Sequence, residues 1–174
     1  MLGFDELGRP DWDVRFMAKA FLIAQGSIDP PTKQGAVWVS KENKPLSEGY
    51  NGPIRGIDDT KFPLNRPDKY YGMIHSEINC LLFYNGSDYQ IEDSTIYITG
   101  IPCHVCLKIM IQKGVKKIIY GCIRFKAADE EEEVKARKLI LELSPKVELI
   151  EFKEMNKVKE LLKQTIDYID YKNK

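Results

Sequence analysis

The 174-residue sequence has no apolar run near the ~20 residues that a membrane-spanning helix needs. Its opening stretch, MLGFDELGRPDWD, carries acids early and lacks an apolar segment, so it reads without a signal peptide and with a cytoplasmic location. Net charge is missing too, because 26 basic residues cancel 26 acidic ones. Proteins that work along nucleic acid ordinarily show a basic excess or stripe, so this balance weighs against such a partner. There are only four cysteines. In a reducing compartment they are expected as metal ligands, catalytic groups or small buried residues, not as disulfides. No internal repeat or low-complexity linker divides the chain. What remains is an ordinary globular balance, 43% apolar and 30% charged, which fits one domain spanning 1–174.

Hydrophobic spacing then sets the elements. Val14, Met17, Ala18, Phe21 and Ala24 recur at three- and four-residue steps, giving a helix over 11–26 that Asp29-Pro30-Pro31 stops. Strands are expected at 35–40 and 46–50, joined by a turn at Glu42-Asn43. Residues 52–74 are rich in glycine and proline and hold no period, so they read as an irregular loop with a short helix near 66–71. Helices follow at 75–84, 103–112 and 129–143, alternating with strands at 95–99, 117–122 and 147–152. A C-terminal amphipathic helix over 153–172 places Val158, Leu161, Leu162, Ile166 and Ile169 on one side. The alternation predicts an α/β protein, a three-layer α/β/α arrangement around a mixed sheet.

The chemistry concentrates in His75-Ser76-Glu77 and Pro102-Cys103-His104-Val105-Cys106. Residues three apart share a helix face, so Cys103 and Cys106 can converge on one ion. His75 and Glu77 are two apart and can meet only in front of a helix tip. Both segments open a helical pattern, with Pro102 where proline is tolerated. Two positive helix ends then favour the thiolates, the metal-binding form. One imidazole and two thiolates suit a single Zn2+, and three protein ligands leave the fourth position that catalytic zinc sites keep open. Glu77 is the neighbouring group free to carry protons. A closed structural zinc site needs a fourth ligand, and Cys80, Cys122 and His104 are the candidates. Cys80 and Cys122 read as core, and His104 points off the face its two neighbours share.

At these residues the chain resembles the cytidine deaminase superfamily and, within it, the deoxycytidylate (dCMP) deaminases. Gly35-Ala36-Val37, Gly49-Tyr50-Asn51-Gly52, His75-Ser76-Glu77-Ile78-Asn79 and Thr99-Gly100-Ile101-Pro102-Cys103 fall in the family's order over about residues 10 to 125. The spacing H-x-E followed by P-C-x-x-C is the general signature of zinc nucleobase deaminases. The resemblance implies a cytidine deaminase-like central sheet of about five strands. It also implies hydrolysis of dCMP to dUMP and ammonia, feeding thymidylate precursor synthesis, with Glu77 moving protons at the ring. Activation by dCTP, inhibition by dTTP, Mg2+ accompanying such an effector, and a homo-oligomer with a hexamer favoured come from the same source. Two departures are visible: Ser76 stands where the family commonly has alanine, and Gly100-Ile101 replaces a common Leu-Ser.

On the substrate side, the resemblance gives Asn51 to the sugar and the Ser76 backbone N–H to the pyrimidine carbonyl. From the residues alone, Asn51-Gly52 is equally a turn. A phosphate needs cations. Lys33 is the first candidate, followed by Arg55, Arg66, Lys69 and Arg124, and Tyr120 is a candidate pocket wall. The acidic run 129–133 complements a helix dipole and receives no functional role. dCTP, deoxycytidine, another amino-bearing ring such as guanine, a nucleic-acid base, or a non-enzymatic zinc module remain open alternatives to dCMP.

Overall fold

The computed structural model describes residues 4–123 and 130–172. The first helix, α1 (Trp12–Ile23), runs into a short 3-10 turn at Ala24–Gly26. Strands β1 (Gly35–Val39) and β2 (Pro45–Tyr50) form an antiparallel hairpin. Within the 52–74 stretch, β3 (Gly52–Pro53) pairs with β4 (Met73–Ile74), and a 3-10 turn covers Asp68–Tyr71. Then come α2 (Ser76–Leu82), β5 (Thr95–Gly100), α3 (His104–Lys113), β6 (Lys117–Ile123), α4 (Glu130–Glu142), β7 (Glu148–Glu151) and α5 (Met155–Lys172). Arg124 and Asp129 lie outside the described residues.

The five long strands make one mixed sheet in the order β2-β1-β5-β6-β7. β1 is antiparallel to β2 and β5, whereas β5, β6 and β7 are parallel and use α3 and α4 as their crossovers. Side chains alternate across a strand, and the two faces divide accordingly. Val37, Val39, Tyr97 and Ile119 pack with α1 and the start of α5. Ala36, Trp38, Ile96, Ile98 and Ile118 pack on the opposite side with α2 and α3. This is the three-layer α/β/α architecture that the alternation predicts. Trp38 is fully buried, and its indole N–H donates to Ser94 Oγ at 2.8 Å, so the largest core side chain leaves no polar group unmet.

Several positions differ from expectation. Only the first half of α5 covers the sheet; Val158, Leu161 and Leu162 pack there, while Ile166 and Ile169 are exposed. Cys80 is core, but Cys122, next to the last residue of β6, is exposed.

The site is placed by two junctions. Because β1 runs against β5, the amino end of β1 meets the carboxyl end of β5, and the Gly35 N–H donates to Thr99 Oγ1 at 3.1 Å. The second junction is Gly49, where β2 passes under α2. A Cβ at this position would collide with the Cys80 backbone nitrogen and lie 2.8 Å from the Ser76 carbonyl oxygen. Gly49→Ala is therefore expected to cost about 3 kcal/mol, the upper end for overpacking, and to tilt the start of α2. A lowered urea midpoint together with weakened zinc retention would register both effects.

Candidate active site

His75 and Cys103 are not inside their helices. Each is the residue capping the amino end, with extended backbone: φ −70, ψ 152 for His75 and φ −68, ψ 160 for Cys103. That answers the spacing problem. A capping residue projects its side chain ahead of the first turn, so His75 and Glu77 can address one point although they are two apart. Pro102 stands one residue before the cap, outside the helix. Cys103 Sγ accepts from the Cys106 N–H at 3.4 Å, the bond a serine makes at such a position.

The three expected ligands converge. Cys103 Sγ lies 3.6 Å and Cys106 Sγ 3.3 Å from His75 Nδ1, and all three donor atoms lie within 4.8 Å of one another. A tetrahedral zinc ion with ordinary Zn–S and Zn–N bonds separates its nitrogen and sulfur ligands by roughly 3.6 Å. The donor set therefore matches zinc in both chemistry and size. The hydrogen bond with Cys103 raises His75 to about 8 against the opposing effect of burial. Cys103 is drawn well below the usual thiol range, first by its bond with Cys106, and Cys106 is pushed up by the same bond. A cation must displace the protons that these three donors share.

Glu77 stands beside them without belonging to the set. Burial pushes its carboxyl above the usual range, and its Oε2 accepts from Ser76 Oγ at 2.9 Å. A carboxyl raised this way binds a proton more readily than one in water, and it moves toward the near-neutral range that suits a proton carrier. His104 turns away from the sulfurs. Its ring Nδ1 lies 2.8 Å from Glu133 Oε1, and its backbone N–H donates to Glu133 Oε2 at 2.9 Å. Arg137 donates to the same Glu133 at 3.1 Å and to the Pro102 carbonyl at 3.3 Å. Glu133, left without a role in the sequence, thus ties α4 to the turn carrying Cys103. Neither Cys80 nor Cys122 joins the ligand cluster.

A cavity of about 270 Å³ opens onto His75, Cys103 and Glu77. Ser76, Asn51, Gln34 and Ile101 line it, as do Arg66 and Lys69 from the 52–74 stretch. Asn51 uses its amide on the backbone, Oδ1 accepting from the Gln34 N–H at 2.7 Å and Nδ2 donating to the Thr32 carbonyl at 2.9 Å. Lys33 does not line the cavity; its Nζ donates to the Gln25 carbonyl at 3.3 Å. Arg55 lies over the Phe83 ring in a separate groove, 5.8 Å from its centroid. Tyr120 packs against the Trp38 side of the core and not against the cavity. Asp29 and Gln34 also line the cavity, and no local pattern in the sequence marks them for it. Each holds one buried polar atom, Asp29 Oδ1 and Gln34 Nε2, with no partner among the described residues.

Known proteins are similar to this chain. The model of the "Cytidine and deoxycytidylate deaminase zinc-binding region" matches residues 10–122. A deoxycytidylate deaminase of Homo sapiens is 36% identical over 126 residues, covering 69% of this chain and 70% of that protein. The deoxycytidylate deaminase of Mus musculus is 34% identical over 140 residues, covering 77% and 76%. Among solved structures, the dCMP deaminase from cyanophage S-TIM5 in complex with dCMP and dUMP aligns with a TM-score of 0.58 at 25% identity, over 79% of this chain and 94% of that one. With a family match that spans most of its sheet and both ligand-bearing turns, the chain belongs to the cytidine and deoxycytidylate deaminase zinc-binding family.

Proposed function

We propose that this chain hydrolyses dCMP to dUMP and ammonia, with His75, Cys103 and Cys106 holding one Zn2+ and Glu77 carrying the protons. The observation that carries this is the convergence of three zinc-type donors beside a buried carboxyl, where a cavity of about 270 Å³ is lined by His75, Cys103 and Glu77. Zinc held by three protein ligands lowers the pKa of water to about 7 and so supplies a nucleophile at neutral pH. Glu77 takes one proton from the water and passes it to ring N3, then takes the second from the hydroxyl added at C4 and delivers it to the amino group, which leaves as ammonia. Ser76 Oγ keeps the Glu77 carboxyl turned toward that work, and the Ser76 backbone N–H meets the pyrimidine carbonyl. The low exposure of Glu77, at 7%, keeps bulk water from exchanging its proton at random.

Arg66 and Lys69, not Lys33 or Arg55, serve the phosphate. Arg66→Ala is expected to raise KM for dCMP about tenfold with little change in kcat, the signature of lost uniform binding to a charged group. Lys33→Ala and Arg55→Ala should stay within about twofold, because uncoupled surface charges contribute little. A panel of dCMP, CMP, dCTP, deoxycytidine, guanine and single-stranded DNA tests the assignment through ammonia release, and preferential turnover of dCMP is the expected result. Strong turnover of guanine or DNA, with dCMP silent, would overturn it.

Family resemblance extends the proposal to activation by dCTP, inhibition by dTTP with Mg2+ as the effector's counter-ion, and a cytoplasmic homo-oligomer with a hexamer favoured. Exposed Tyr50, Leu82 and Phe83 give self-association an apolar surface. Among the described residues no helix is long and apolar enough to cross a membrane. Shifted dCMP saturation curves on adding dCTP or dTTP are the expected result, and superimposable curves would remove the effectors.

A further inference from the structure

We infer that Asp29 reads the sugar of the substrate, accepting a hydrogen bond from the 3′-hydroxyl at Oδ1, while Lys69 holds the carboxylate in place through Oδ2. This rests on the dCMP reading above. Asp29 follows α1 in the loop that its two prolines stiffen, and it lines the cavity together with Lys69. The two form an ion pair at 2.7 Å, and both side chains are nearly sealed from solvent, at 3% and 4% exposure. Burying such a pair is costly unless the remaining lone pairs and protons find partners. Asp29 Oδ2 has its partner in Lys69 Nζ, but Oδ1 is buried with none among the described residues.

A buried carboxylate oxygen on a residue that lines a ligand cavity needs a hydrogen-bond donor. A deoxycytidine monophosphate dianion carries only two kinds, the 4-amino group and the 3′-hydroxyl. The amino group must sit at Glu77 and the zinc ligands, where it leaves. The phosphate cannot face a carboxylate oxygen and belongs against the cations. That leaves the 3′-hydroxyl for Oδ1. Lys69 then lies between two anions, Asp29 and the phosphate, and suppresses their repulsion. Asn51 cannot easily substitute, because its amide already serves the Gln34 N–H and the Thr32 carbonyl.

The test compares kcat/KM for dCMP with that for 2′,3′-dideoxycytidine monophosphate, which lacks only the hydroxyl. The wild-type chain is expected to prefer dCMP by about tenfold to a hundredfold, the range for a hydrogen bond to a charged acceptor. In Asp29→Leu/Lys69→Met, which removes both charges together, the preference should fall by at least about tenfold, whatever the loss in absolute rate. Asp29→Asn keeps a weaker, neutral acceptor and should cut the preference severalfold, so the inference stays testable should the double variant not fold. A wild-type preference near one, or a preference unchanged by either substitution, overturns the sugar-reading role alone. A zinc-loaded wild type silent on dCMP but active on another amino-bearing ring overturns the dCMP reading and this inference with it.

Discussion

Replacing Glu77 with alanine is expected to lower kcat for dCMP by about 100- to 10,000-fold, the usual contribution of a positioned proton carrier, while zinc content stays the same. The separation follows from the geometry. The three donor atoms that fit zinc come from His75, Cys103 and Cys106, and Glu77 is not one of them. Its carboxyl is buried, is raised by that burial, and is held by Ser76 Oγ. Glu77→Gln should be nearly as slow. It keeps the shape and the bond to Ser76 yet cannot pick up and release a proton. Metal analysis beside steady-state kinetics checks both statements. A Glu77→Gln protein with a tenth of wild-type kcat would remove the proton-carrier role.

The opposite pattern is expected from Cys103→Ser. Serine is among the best residues for capping a helix, so α3 should start where it does now and the circular dichroism should stay native. A serine hydroxyl, however, does not ionise at neutral pH to become a zinc ligand. Zinc should be lost, and turnover with it. Because an ion that binds only the folded chain stabilises it, Tm measured at saturating zinc should also fall below that of the wild type. A Cys103→Ser variant that retains a full zinc ion would contradict the ligand assignment.

The parts of this protein visible in its sequence are those fixed by local spacing. Period-two and period-3.6 patterns place every long strand and helix within a few residues, and the H-x-E and P-C-x-x-C segments announce the donors because each set sits at one helix tip. What the sequence hides depends on distant packing. Lys33, next to β1 in the chain, turns back to Gln25, whereas Lys69 crosses forty residues to reach Asp29. Glu133 reads as one acid in a run that complements the helix dipole and as an i,i+4 partner of Arg137, and its bonds to His104 appear only when α4 lies against the start of α3. Asn51 spends its side chain on the segment just before β1, at the Gln34 N–H and the Thr32 carbonyl, a use that no local pattern marks. Asp29 was legible only as part of a helix stop, since a carboxylate beside two prolines carries no signal of the lysine that pairs with it.

The most direct measurement is a zinc titration of the chelator-stripped protein, following conversion of dCMP to dUMP. The expected result is negligible turnover without zinc, a rise with added metal, and a plateau at one ion per chain. Full turnover in the stripped protein, or none with one ion bound, would contradict zinc-dependent deamination of dCMP by this chain.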